Sequence, residues 1–106
     1  MDNVDAQTEY AIALFNGTGV TKDIPAAVSF MNRAARLNSP IAQNRLAHML
    51  ISGIGMPADK IEGFKWHLIA KTAGNGDPDL DAQFQALSAD DRKKAEDAAR
   101  KWFGTK

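Results

Sequence analysis

The sequence contains no cysteine. A disulfide framework, a thiolate metal site and a cysteine nucleophile are therefore excluded. It also lacks an excess of either charge, with Lys+Arg 13 against Asp+Glu 13 and a formal net charge of +0. Nucleic-acid binders normally carry a basic stripe, and none is visible along this chain. No apolar run approaches the roughly 20 residues that a membrane-spanning helix needs. The first residues, Met1-Asp2-Asn3-Val4-Asp5, are acidic and have no apolar stretch, which is not the pattern of a secretory leader. These absences leave a soluble chain as the expectation. It is cytoplasmic by default, and periplasmic or secreted if the sequence is a piece of a longer protein. No nucleic acid, membrane, metal or cofactor is expected.

What is present is an ordinary globular composition, 44% hydrophobic and 25% charged. A length of 106 residues suits one domain, residues 1–106, that buries roughly two-thirds of its unfolded surface. Its organising feature is a segment that occurs twice, at 6–37 and again at 42–73, offset by 36 residues. At that offset Ala6 meets Ala42, Gln7 meets Gln43, Ala11 meets Ala47 and Leu14 meets Leu50. Gly17 meets Gly53, Gly19 meets Gly55, Asp23 meets Asp59 and Ala34 meets Ala70. Tyr10 with Leu46, Val28 with Phe64, and Phe30 with Trp66 keep the character of their sites. A period of this size is the signature of a solenoid, in which one supersecondary unit stacks on its copy.

Within each copy the apolar spacing predicts two helices. Residues 4–16 place Ala6, Tyr10, Ala11 and Leu14 on one face, and Gly17-Thr18-Gly19 ends the helix. Asp23 and Pro25 open a second helix to about residue 37, with Ala27, Phe30, Met31, Ala34 and Leu37 inward. The second copy repeats this over 41–52, with Ala42, Leu46, Ala47 and Leu50 inward. Its second helix covers 60–73, with Phe64, Trp66, Ile69, Ala70 and Ala73 available to the core. The period then fails. Asp77-Pro78 starts a short helix to about residue 87, and Ser88 caps a last one to about residue 103. Asp90 with Lys94, Glu96 with Arg100, and Asp97 with Lys101 are acid-before-base pairs four residues apart on its outer face. Its inner face is thin, Ala95, Ala98, Ala99 and Trp102. Residues 77–106 thus read as a degenerate third repeat converted into a terminal cap.

The pattern Ala-Gln-x-x-Tyr-Ala-x-x-Leu-x-x-Gly-x-Gly-Val-x-x-Asp of the first copy resembles the consensus of the Sel-one-like repeat (SLR), a tetratricopeptide-like helix pair of bacterial type. Phe64-Lys65-Trp66-His67-Leu68-Ile69-Ala70 is similar to its second-helix signature, and the stretch from Leu87 to Trp102 looks like the C-terminal end of bacterial members. Gly63 and Lys71 stand where alanine is expected, and Met56-Pro57 where valine is usual. The resemblance covers nearly the whole chain. It implies an all-α solenoid of helix-turn-helix repeats with a C-terminal capping helix, about six helices, expected to be right-handed. It also implies adaptor work, with a protein or peptide bound in signalling, envelope regulation, secretion or host contact. A few relatives were described as acting on β-lactams. That chemistry calls for Ser-x-x-Lys, and none of Ser29, Ser39, Ser52 or Ser88 has a lysine three residues on.

The remaining chemistry-bearing residues point away from catalysis. His48 and His67 lie on different helices with no ligand partner one turn on. The Gly-x-Gly pairs lack the Gly-Lys-Ser/Thr of a phosphate loop, and helix termination accounts for them. The expected function is a protein–protein interaction scaffold and not an enzyme. The alternatives are a β-lactamase-like hydrolase or a dedicated inhibitor or immunity-type binder. If Tyr10 and Leu46 mark the core direction, Thr8, Ile12 and Phe15 point the other way on the first helix. Asn44, His48 and Ile51 do so on the third. Thr8, Ile12, Phe15, Asn44, Arg45, His48 and Ile51 are therefore the expected lining of a concave partner-binding groove. The face of the first helix that a preceding repeat would cover is a second open surface, on which a second copy could dock as a homodimer.

Overall fold

The computed structural model describes residues 4–104. The described residues form six helices and no strand: α1 (Val4–Asn16), α2 (Ile24–Arg36), α3 (Pro40–Ser52), α4 (Lys60–Thr72), α5 (Pro78–Gln85) and α6 (Ala89–Gly104). The starts are set by side-chain caps, which satisfy amide groups the first turn cannot pair internally. Asp23 Oδ1 accepts from Ala26 N at 3.1 Å, and Asp59 Oδ1 accepts from Glu62 N at 3.1 Å. Ser39 and Ser88 do the same for α3 and α6. Pro25, Pro40 and Pro78 lie in first turns, where the missing N–H costs nothing.

The turn between the helices of a pair is the same in both copies. Gly17 and Gly53 adopt φ of 73° and 71°, a left-handed conformation that side chains with a Cβ resist. The chain then folds back so that Asp23 N donates to Leu14 O at 2.9 Å and Asp59 N to Leu50 O at 2.8 Å. Asn38 and Gly74, again 36 residues apart, close the second helices with positive φ.

Packing proceeds along the chain, α1 on α2, α2 on α3 and α3 on α4, giving an elongated body of 43 × 27 × 21 Å. The core is built from small residues that let helix backbones approach, Ala11, Ala27, Ala34, Ala35, Ala42 and Ala47, around Met31, Leu46, Trp66 and Ile69. Gly63 carries this furthest. A Cβ there would lie 2.6 Å from Ile51 Cγ1 and 3.1 Å from Ala47 O, so the glycine permits the close approach of α3 and α4. After α4 the order changes: α6, not α5, packs broadly on α4. Ala95 and Ala99 are buried there, and the Trp102 ring meets Trp66 edge-on at 4.9 Å. The short α5 is anchored by Leu80 and by Phe84, whose ring sits 5.8 Å from that of Phe64.

Several inward assignments are corrected. Ala6 and Tyr10 are exposed on α1, because no helix precedes them in the described residues, and the Tyr10 ring meets Phe30 edgewise at 5.1 Å. Leu37 and Ala73 are exposed at the ends of second helices, just beyond the last turn that a neighbour covers. On α6 Asp97 pairs with Arg100, one turn away at i+3, instead of Lys101.

Candidate partner-binding groove

The seven residues expected to line one groove fall into three groups. Ile12 and Phe15 of α1 and Asn44, Arg45 and His48 of α3 do come together, lining a cavity of about 490 Å³. Its apolar lining is completed by Ile41, Met31, Met49 and Ile54, with Asn75 at one end. Ile41 and Ile54 are 55% and 42% exposed, so the apolar surface opens to solvent. Spacing alone could have supplied Ile41, one turn before Arg45 on the same row of α3. Ile54 carried a different signal, a large apolar residue stranded between Gly53 and Gly55 in a turn.

Thr8 does not reach that groove. It is buried, and its Oγ1 donates to Val4 O at 2.9 Å while lying 3.0 Å from Ser39 Oγ. Ser39 Oγ in turn accepts from Ala42 N. A chain of hydroxyl bonds thus ties α1 to the cap of α3, which is why a polar residue is tolerated there. The period mate of Thr8 does the same one repeat later. Asn44 Nδ2 donates to Asp77 Oδ2 at 3.0 Å, and Asp77 is the cap of α5. Position 8/44 is thus a clasp between successive first helices.

Ile51 is the third departure. It is half-buried against Gly63 and lines a separate cavity of about 250 Å³ with Lys60, Phe64, Gln83, Ala86 and Leu87. Ile51, the period mate of Phe15, thus borders α5 and the residues after it, apart from the first groove. The seven-residue groove is therefore corrected to a five-residue part, plus Ile41, Met49 and Ile54.

The electrostatics centre on α5. Asp77 Oδ2 accepts from Asn44 and from His48 Nε2 at 2.7 Å, and Oδ1 accepts from Asp79 N and Leu80 N. The Asn44 hydrogen bond, with His48 and the Leu80 amide adding to it against desolvation, lowers its pKa from 3.8 to about 2. Asp81, one turn on, takes Lys71 Nζ at 3.0 Å and the buried His67 Nε2 at 2.8 Å, and first Lys71 and then His67 hold its carboxyl below the usual range. Both histidines thus serve to fasten α5 to α3 and α4. Among the described residues no cluster of three or more His, Cys, Asp or Glu could hold a metal ion, and no helix is long and apolar enough to cross a membrane.

This architecture, a clasped array of helix pairs with Gly-x-Gly turns, can be set beside known proteins. The family model of the Sel1 repeat matches residues 4–39 and 40–75. The chain belongs to the Sel1 repeat family. Among solved structures it is similar to a protective antigen of uropathogenic Escherichia coli displaying an SLR fold, with TM-score 0.78, 23% identity, and coverage of 96% of this chain and 22% of that one. It is also similar to a Sel1 repeat protein from Oxalobacter formigenes, with TM-score 0.71, 30% identity, and coverage of 81% of this chain and 24% of that one. The chain therefore spans less than a quarter of the length of these two. No match is found among curated proteins. Sel1 repeat proteins are generally protein-interaction scaffolds without enzymatic activity, and generally bind protein partners.

Proposed function

We propose that this Sel1 repeat chain binds a segment of a partner protein in the groove between α1 and α3, acting as a scaffold or adaptor. The observation that carries the reading is the open apolar lining of Ile12, Phe15, Ile41 and Ile54 around a cavity of about 490 Å³. Such a strip costs free energy when hydrated, roughly 25 cal/mol per Å², and covering it drives association. Hydrolysis has no comparable support. Among the described residues no hydroxyl nucleophile is bonded to either histidine ring.

The experiment is affinity capture from extract of the source cell, with wild type beside Ile12→Glu/Ile41→Glu. A photo-crosslinker at position 54 reports whether the captured protein sits in the groove. A partner that crosslinks at 54 and is lost with the double variant, whose helical circular dichroism is unchanged, supports the reading. A partner retained by the double variant moves the site elsewhere.

A further inference from the structure

The groove has an apolar floor and a single uncommitted charge. Asn44 and His48, the other polar residues on its α3 side, are both engaged by Asp77. Asn75 Nδ2 is given to Pro40 O at 3.0 Å. Arg45 is exposed and has no acidic partner among the described residues. Its place along the groove matters as much as its charge. Ile41 lies one helical turn before it and Met49 one turn after it, with Ile54 beyond the end of α3. Apolar surface therefore continues on both sides of the guanidinium.

Resting on the binding reading above, we infer that the groove is selective for an extended segment carrying an Asp or Glu side chain between apolar residues. The acid pairs with Arg45, and its neighbours lie against Ile41 on one side and Ile12, Phe15 and Ile54 on the other. The distance from Ile41 to Met49 is about 12 Å along the helix axis. That is the reach of about four extended residues. A chain-terminal carboxylate does not fit this arrangement, because it would leave the apolar surface beyond Arg45 uncovered. A guanidinium is suited to the role, since its planar fork grips a carboxylate in two parallel bonds.

The test is selection of random heptapeptides displayed inside a loop of a phage coat protein, so that no peptide ends in a free carboxylate. Wild type, Arg45→Glu, Arg45→Gln and Ile12→Glu/Ile41→Glu serve as baits, each checked by circular dichroism. Wild type is expected to enrich apolar–acidic–apolar sequences. A synthetic version of the best should bind Arg45→Gln or Arg45→Glu about tenfold or more weakly, and Arg45→Glu should enrich Lys or Arg at the same place. Enriched peptides with no acidic preference, bound equally by both Arg45 variants but lost with Ile12→Glu/Ile41→Glu, overturn this inference and leave the groove reading standing. Peptides that bind the double variant as well as wild type, or no enrichment by wild type at all, overturn both.

Discussion

The two repeats of this chain answer the same sequence pattern with different surfaces. Leu46 on α3 is 2% exposed, whereas its period mate Tyr10 on α1 is 45% exposed. Gln43 Nε2 reaches back to Ala35 O at 3.0 Å, an anchor that only a preceding helix can offer. On the opposite side the copies differ in their neighbours. Ile51 of repeat two and Phe15 of repeat one are both half-buried, but they line different cavities, Ile51 beside Gln83 and Leu87 and Phe15 beside Ile12 and Arg45. A repeat position in a solenoid thus has no fixed environment; its neighbours along the array decide whether it is core or surface. The groove lies between the first helices of the two repeats, α1 and α3, and is lined from both.

Equivalent substitutions in the two repeats sharpen this contrast. The largest effect is expected at the Trp66 and Phe30 pair. Trp66 is 1% exposed and also receives Trp102 and the Lys65 ammonium, 4.5 Å from its ring. Trp66→Ala should cost about 4 kcal/mol, and Phe30→Ala, at a half-buried site, about half as much, measured by urea denaturation. Next comes the Leu46 and Tyr10 pair. Leu46→Ala should cost about 3 kcal/mol and Tyr10→Ala less than about 1 kcal/mol. Equal losses at 10 and 46 would mean that the exposed face of α1 is covered in solution.

A smaller effect is expected where the copies differ in backbone spacing. Ala27 in repeat one is fully buried with its Cβ accommodated, while Gly63 in repeat two has no room for one. Gly63→Ala gains helix propensity of about 1 kcal/mol and adds overpacking of about 1–3 kcal/mol. The net is destabilisation by roughly 1 kcal/mol. Adding Ile51→Ala should shrink the cost of the Gly63→Ala step, the contact with Ala47 O at 3.1 Å remaining, a coupling that a double-mutant cycle of melting curves would read.

The helices, their capping residues and the 36-residue period are legible in the sequence because they depend on local chemistry, such as Asp23 and Asp59 at caps and Gly17 and Gly53 at turns. The groove is legible only in part. Ile12, Phe15, Asn44, Arg45 and His48 follow from helical geometry once a core direction is chosen. Tyr10 is a poor marker of that direction, since its burial depends on a neighbour outside its own repeat. Thr8 is misread for a related reason, and Asn44, which does line the groove, has a partner that the sequence does not show. Their polar side chains look like a wet rim, yet each is satisfied by a cap residue more than thirty positions away, a pairing that no local window shows. Ile51 is displaced by α5, whose seat on the array depends on Asp77 and Asp81 finding His48 and His67.

That seat yields the smallest effect and the last contrast, between α5 and α1. The carboxyl of Asp77 has its pKa lowered from 3.8 to about 2 in the folded chain. A carboxylate with a depressed folded value contributes stability that is fully present above its unfolded value and is lost as pH falls through the folded one. Between pH 4 and pH 2 the contacts to Asn44, His48 and the first amides of α5 should therefore weaken. The start of α5 should then loosen and release Asn44 and His48, which line the first groove, while the packing of α1 on α2 is kept. Amide exchange or chemical shifts at Leu80, Phe84 and Leu87 should change across that window before those of Ala11 and Met31 do. Asp77→Asn should show the loosened α5 at neutral pH with a flattened acid response. Parallel acid profiles at α5 and α1 would mean that the array loosens as one unit and that Asp77 does not hold α5 separately.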